Sequence, residues 1–174
     1  MSKGATLAAF IAAVLIQIVI LVAIPARKAY TLQTGKSVLL QVQPIDPYSI
    51  LSGYYVTLGF DISRLEAFSN ASEFEQADDG YAVLEKGADG VWKPLSLEHK
   101  LPENLPENRI ALYGRIRYAI IRYGIEEFYI PETRREAIET DLRNNPGKAR
   151  VEIKVDRQGN AALHRLRIED RAYE

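Results

Sequence analysis

At 174 residues the chain is long enough for one domain plus an appendage, with an ordinary hydrophobic core. Its 22 Lys+Arg against 23 Asp+Glu leave a net charge of -1, which supplies none of the basic excess that nucleic-acid binding draws on, so no nucleic-acid partner is expected. The absence of cysteine excludes disulfides and thiol chemistry but leaves the compartment open.

Ala5 to Pro25 is apolar except for Thr6 and Gln17, matching the roughly 20 residues a helix needs to cross a bilayer. It reads as a membrane anchor held in lipid. A cleaved signal peptide is the alternative, because Lys3 precedes the run, but signal cores span about 7–15 residues and end at a small-residue cleavage site. Lys3 and the terminal amine on one side nearly balance Arg27 and Lys28 on the other, so charge alone does not orient the span. The expected division is an anchor over residues 1–28 and a globular domain over 29–174. Ala29 to Gly35 would form a short polar connector that keeps the domain near the bilayer.

Lys36 to Gln43 alternates Val38, Leu40 and Val42 with more polar neighbours and predicts a half-buried strand. The stretch Pro44 to Ser63 begins with a Pro-bracketed turn. Beyond Gly53 it puts Tyr54, Val56, Leu58, Phe60 and Ile62 on one strand face. Arg64 to Gly80 is the most polar stretch, expected as a surface loop or short irregular helix where the core pauses. Tyr81–Glu85 and Val91–Leu95 flank a Gly-containing hairpin turn, with Trp92 covering one end of its sheet, and the prolines of Lys100–Asn108 keep that segment on the surface. Ile110 to Tyr118 alternates again, interrupted at Gly114, and Ala119 to Tyr123 extends or restarts the strand. A short strand at Phe128–Ile130 precedes a helix opened by Pro131, with Thr133 and Glu136 at capping-box spacing. Arg150–Asp156 and Ala161–Ile168 make the clearest hairpin, with Val151, Ile153 and Val155 inward. The fold class is mainly β (α+β): one β-rich domain with a peripheral helix, preceded by one N-terminal transmembrane helix.

Gly53-Tyr-Tyr-Val-Thr-Leu-Gly-Phe60, preceded by Pro44-Ile-Asp-Pro47, resembles the bacterial GDYXXLXY domain family. Gly53, Tyr55 and Leu58 stand at pattern positions, while Tyr54 replaces the family's acid and Phe60 its last tyrosine. Tyr123-Gly-Ile-Glu-Glu-Phe-Tyr-Ile-Pro-Glu132 is similar to a second family block. The resemblance implies a membrane-anchored protein without an assigned activity, found alongside polytopic membrane proteins, with its domain on the exported side of the bacterial cytoplasmic membrane. Membrane lipid and a polytopic membrane protein are thus the implied partners.

Asp46, Gly53, Tyr55, Leu58, Glu126 and Glu132 are the candidate binding or motif residues, since they lie in these two blocks. The plainer reading is that Asp46 caps a turn and the glutamates are solvated or ion-paired. Glu126 and Glu127, on one strand, would point to opposite faces and not act as a carboxylate pair. His99 and His164 belong to no recognised metal spacing, and no glycine-rich phosphate loop or nucleophile elbow is present, so neither metal nor cofactor is expected. An anchor followed by a β-rich domain is also the layout of signal-peptidase-like serine hydrolases, with Ser49 or Ser52 as nucleophile. Here, however, Pro47 precedes Ser49 and Tyr54 fills the acidic position. A non-enzymatic binding or assembly module for another envelope protein is the favoured expectation.

Overall fold

In the computed structural model, which describes residues 3–43, 51–52, 55–129, 135–145, 147–169 and 171–173, the chain opens with one long helix, α1 (Lys3–Thr34). Within its stretch Phe10–Thr34 the most apolar 18-residue window has a mean hydropathy of 2.4, and the domain buries none of that window. The helix is long and apolar enough to cross a membrane, a property shared by membrane anchors and signal sequences. Pro25 lies inside it, and the helix does not stop there. The connector expected over Ala29–Gly35 is therefore corrected: all but Gly35 is helical. The physical reason is local for Thr34, whose hydroxyl donates to the Tyr30 carbonyl one turn back at 2.9 Å and is satisfied within the helix, whereas the Thr31 hydroxyl is satisfied by the domain.

Strands follow in the order β1 (Lys36–Gln43), β2 (Leu51–Ser52), β3 (Tyr55–Thr57), β4 (Gly59–Phe60), β5 (Asp79–Lys86) and β6 (Trp92–Glu98). After them come β7 (Arg109–Arg117), β8 (Ile120–Arg122), β9 (Glu127–Tyr129), helix α2 (Arg135–Asn144), β10 (Ala149–Val155), β11 (Ala161–Ile168) and β12 (Arg171–Tyr173). They form a five-stranded sheet β12-β11-β10-β1-β4, a four-stranded sheet β6-β5-β7-β8 and a short ladder β2-β3-β9, every named pair antiparallel. The fold is mostly β, with a long apolar helix first and a short helix later. The two larger sheets meet at a parallel bridge between Leu39 and Val91.

Alternation places the core. Val38, Leu40 and Val42 of β1 are buried with Val151, Ile153 and Val155 of β10, while the intervening positions reach toward solvent. On β11 the period breaks once: Glu152 faces Arg165 and Ile153 faces Leu163, leaving His164 as the extra residue of a bulge. That slip returns Leu166 and Ile168 to the core face. Helix α2 buries Ile138 and is tied to β12, where Arg171 pairs with both Asp141 oxygens at 3.0 and 3.1 Å and Tyr173 donates to the same carboxylate.

Three further expectations change. The strand expected beyond Gly53 does not run unbroken to Ile62, because β3 bonds to β9 and β4 bonds to β1; the chain changes sheets at Leu58, whose N–H donates to the Glu126 carbonyl at 2.7 Å. The core does not pause over Arg64–Gly80 either. Two 3-10 turns, Leu65–Ala67 and Ala71–Phe74, bury Leu65, Phe68 and Phe74, and Asn70 holds the segment by bonding Leu97 through both its amide oxygen and nitrogen. Finally, Gly114 does not interrupt β7. It sits inside the strand, where an added Cβ would come within 2.4 Å of Ile121 and 2.9 Å of Tyr123.

The end of α1 is fastened to the domain. The Thr31 side chain, 3% exposed, donates to an Asp156 oxygen at 2.8 Å, and the other oxygen of that carboxylate receives the N–H groups of Gln158 and Asn160. A Cβ on Gly35 would stand 2.5 Å from the Thr31 carbonyl and 2.8 Å from the Val155 nitrogen, so glycine permits this close junction. The same β10–β11 turn touches the other sheet, since Tyr113 N–H donates to the Gly159 carbonyl at 2.8 Å.

Candidate functional site

The two sequence blocks adjoin in the fold. β3 lies beside β9 in a register that sets Tyr55 opposite Tyr129, Val56 opposite Phe128 and Thr57 opposite Glu127. Where this pairing ends, the bond from Leu58 to Glu126 continues the contact. The blocks also meet through Tyr123, which is 7% exposed and donates its hydroxyl to the Ile62 carbonyl at 2.6 Å. Burial, with the Glu126 charge nearby, pushes the Tyr123 phenol well above its ordinary range, so it remains a donor at physiological pH.

The candidate residues divide by role. Leu58 is core, 2% exposed. Glu126 precedes β9 and turns its carboxylate back on the chain, accepting from Tyr123 N–H at 2.6 Å and Gly124 N–H at 2.9 Å. It thereby closes the turn that Gly124 makes at φ +77°. Glu127 is exposed on β9, whereas Glu126 lies just before the strand. Tyr55 lies on β3, next in register to Ser52 on one side and Tyr129 on the other. Asp46, Gly53 and Glu132, like Ser49 and the capping Thr133, lie outside the described residues. His99 stacks on Phe74 with ring centroids 4.2 Å apart, and His164 lies 3.1 Å from Arg165. Among the described residues no group of three His, Asp or Glu side chains stands close enough to hold a metal.

From Phe60, the last residue of the first block, a groove of about 770 Å³ opens between β1 and β6 that sequence reasoning did not single out. Phe60, Asp61 and Ile62 form one wall, Leu40 and Gln41 of β1 contribute to its lining, and the start of β6 with Val91, Trp92 and Lys93 forms the other wall. Arg64, Glu66 and Asp89 complete a rim of mixed charge over an apolar floor. Two of these acids are engaged, since Gln43 donates to Asp61 and Asp89 receives the Val91 N–H at 3.1 Å. The sequence showed the Phe60-Asp61-Ile62 alternation and the hairpin strand with Trp92, but not that these distant stretches face each other.

In comparison with known proteins, the model of the family described as GDYXXLXY protein matches residues 17–166, from within α1 to β11. No curated protein and no solved structure matches. The resemblance carried by Gly53–Phe60 and Tyr123–Glu132 is thus borne out over most of the sequence, and the chain belongs to the GDYXXLXY family.

Proposed function

We propose that this protein is a single-pass, membrane-anchored module of the bacterial envelope, with its domain exported, that binds or assembles another envelope protein rather than catalysing a reaction. The observation that carries this reading is the β3–β9 pairing, which joins the two family blocks in one ladder. The fastening of α1 through Thr31 and Asp156 adds to it, because a domain held rigidly at its anchor presents its surface at a fixed angle to a neighbour in the same membrane.

Four experiments test the proposal. Washing membranes with carbonate should leave the intact chain in the pellet, whereas a soluble form beginning near Ala29 would mark α1 as a cleaved signal. Reporter fusions after Arg27 and at the C-terminus should both signal from the exported side. In cross-linked membranes, Tyr55→Ala should reduce recovery of the partner while Ser49→Ala with Ser52→Ala leaves it unchanged. Labelling of either serine by a fluorophosphonate would instead establish a signal-peptidase-like hydrolase.

A further inference from the structure

The turn between β7 and β8 is made by Tyr118 and Ala119, both left-handed at φ 52° and 60°. Asparagine or glycine fills such positions readily, whereas a tyrosine there is strained. Packing does not repay it, because Tyr118 is 98% exposed. Behind the tip the ladder sets Arg115 opposite Arg122 and Arg117 opposite Ile120, and these four residues are all exposed while Ile116 and Ile121 point into the core. Neither Arg117 nor Arg122 meets a carboxylate among the described residues. The acid in register with this face, Asp79 opposite Arg115, already accepts the Tyr113 hydroxyl at 2.8 Å. Arg64, bridged through its backbone to Ile120, adds a further exposed cation at the edge.

We infer that the β7–β8 hairpin is a docking surface for a carboxylate-rich face of a partner protein, with Tyr118 as its aromatic anchor and Arg117 and Arg122 as its ion-pairing groups. A flat exposed aromatic between arginines is the composition of interface hot spots, and guanidinium forks match carboxylates in bidentate geometry. The position of the hairpin selects protein over lipid. It is tied through Arg64 and the Asp61–Ser63 turn to Phe60, which pairs with Val42 at the far end of β1. Helix α1 joins β1 at the other end, Lys36, so the tip belongs to the end of the domain away from the anchor. This inference rests on the binding-module reading and adds a surface and a partner chemistry to it.

The test places the photo-crosslinker p-benzoylphenylalanine at Tyr118, and separately at exposed Thr57 on β3, in the full-length chain in native membranes. Position 118 should give one discrete protein adduct whose cross-linked peptide is rich in Asp and Glu. Its yield should fall at least about tenfold with Arg117→Glu plus Arg122→Glu, and severalfold with the milder Gln pair, at unchanged melting temperature. An adduct to lipid, to a second copy of the chain, or to a protein at a yield indifferent to both pairs overturns the inference. Should the Glu pair unfold the domain, the Gln pair alone decides. Cross-linking at Thr57 with none at Tyr118 removes the hairpin but leaves the module, whereas none at either position removes both.

Discussion

In the β1–β10–β11 ladder, Val38, Leu40, Val151, Ile153 and Val155 are buried at every second position with more exposed residues between them. Between Leu65 and Phe74 the chain is polar in composition, yet Leu65, Phe68 and Phe74 are as deeply buried. The first region is held by continuous backbone ladders, so each core side chain is placed by strand geometry. The second is held by short 3-10 turns, by Asn70 clasping Leu97, and by backbone bonds from Leu65 to Ala119 and Ser69 to Leu95. Burial depth therefore does not follow from regularity: a few large side chains pinned by specific polar contacts reach the same core.

Charge on the regular side should do the greatest damage. Ile153→Asp puts a carboxylate at a fully buried position between Val38 and Leu163 in register, and should cost about 5 kcal/mol or more. Chemical denaturation of the detergent-solubilised chain measures this directly. On the irregular side Phe74→Ala should cost about 3–4 kcal/mol, as for a core aromatic, and should also release the stacked His99. A loss below about 1 kcal/mol would return this segment to the status of a surface loop.

The same contrast explains what was legible in the sequence. Period-two alternation is a backbone property, so β1, β5, β6, β7, β10 and β11 could be read directly, as could the hairpin turns at Gly90 and Gly159, both at positive φ. The switch of sheets at Leu58 could not, because alternation continues through it and only the distant partner, β9 or β1, tells the two halves apart. Ala29–Thr34 read as a connector because hydropathy falls there, although helix formation needs only backbone bonds and Thr31 finds its partner 125 residues away. The site divided in the same manner. The blocks were visible as sequence, but Glu126 as a turn clamp, Tyr123 as a buried strut and the groove wall at Val91–Lys93 depend on neighbours that no local spacing specifies.

The junction of α1 with the regular sheet offers a smaller, pH-dependent test. Burial alone would raise the Asp156 carboxyl, but hydrogen bonds from Thr31 and Asn160 and from the Gln158 and Asn160 backbone outweigh it and hold the group below its ordinary value. A depressed folded-state pKa means that these bonds stabilise the protein above the unfolded value, near 3.9, and that the contribution is lost as pH falls through the folded value. Thr31→Val should therefore cost about 1 kcal/mol at neutral pH, the group being only partly buried, and the difference from wild type should shrink in acid below about pH 4. A difference independent of pH would assign the effect to helix packing rather than to the charged acceptor.

The smallest effect is expected where neither kind of packing operates, at the tip of β7–β8. Tyr118 is buried by nothing and sits at φ 52°, a conformation asparagine adopts more readily because its short amide can bond locally. Tyr118→Asn should therefore stabilise the chain slightly, by about 0.5 kcal/mol, while Tyr118→Phe, which keeps the backbone strain and the ring, should leave stability unchanged. Paired melting curves of the two variants separate the causes: the Asn variant isolates the turn and the Phe variant the hydroxyl. If Tyr118→Asn instead lowers the melting temperature, the ring contributes to folding after all, and the hairpin tip joins Phe74 among aromatics whose role in the core was hidden by irregular surroundings.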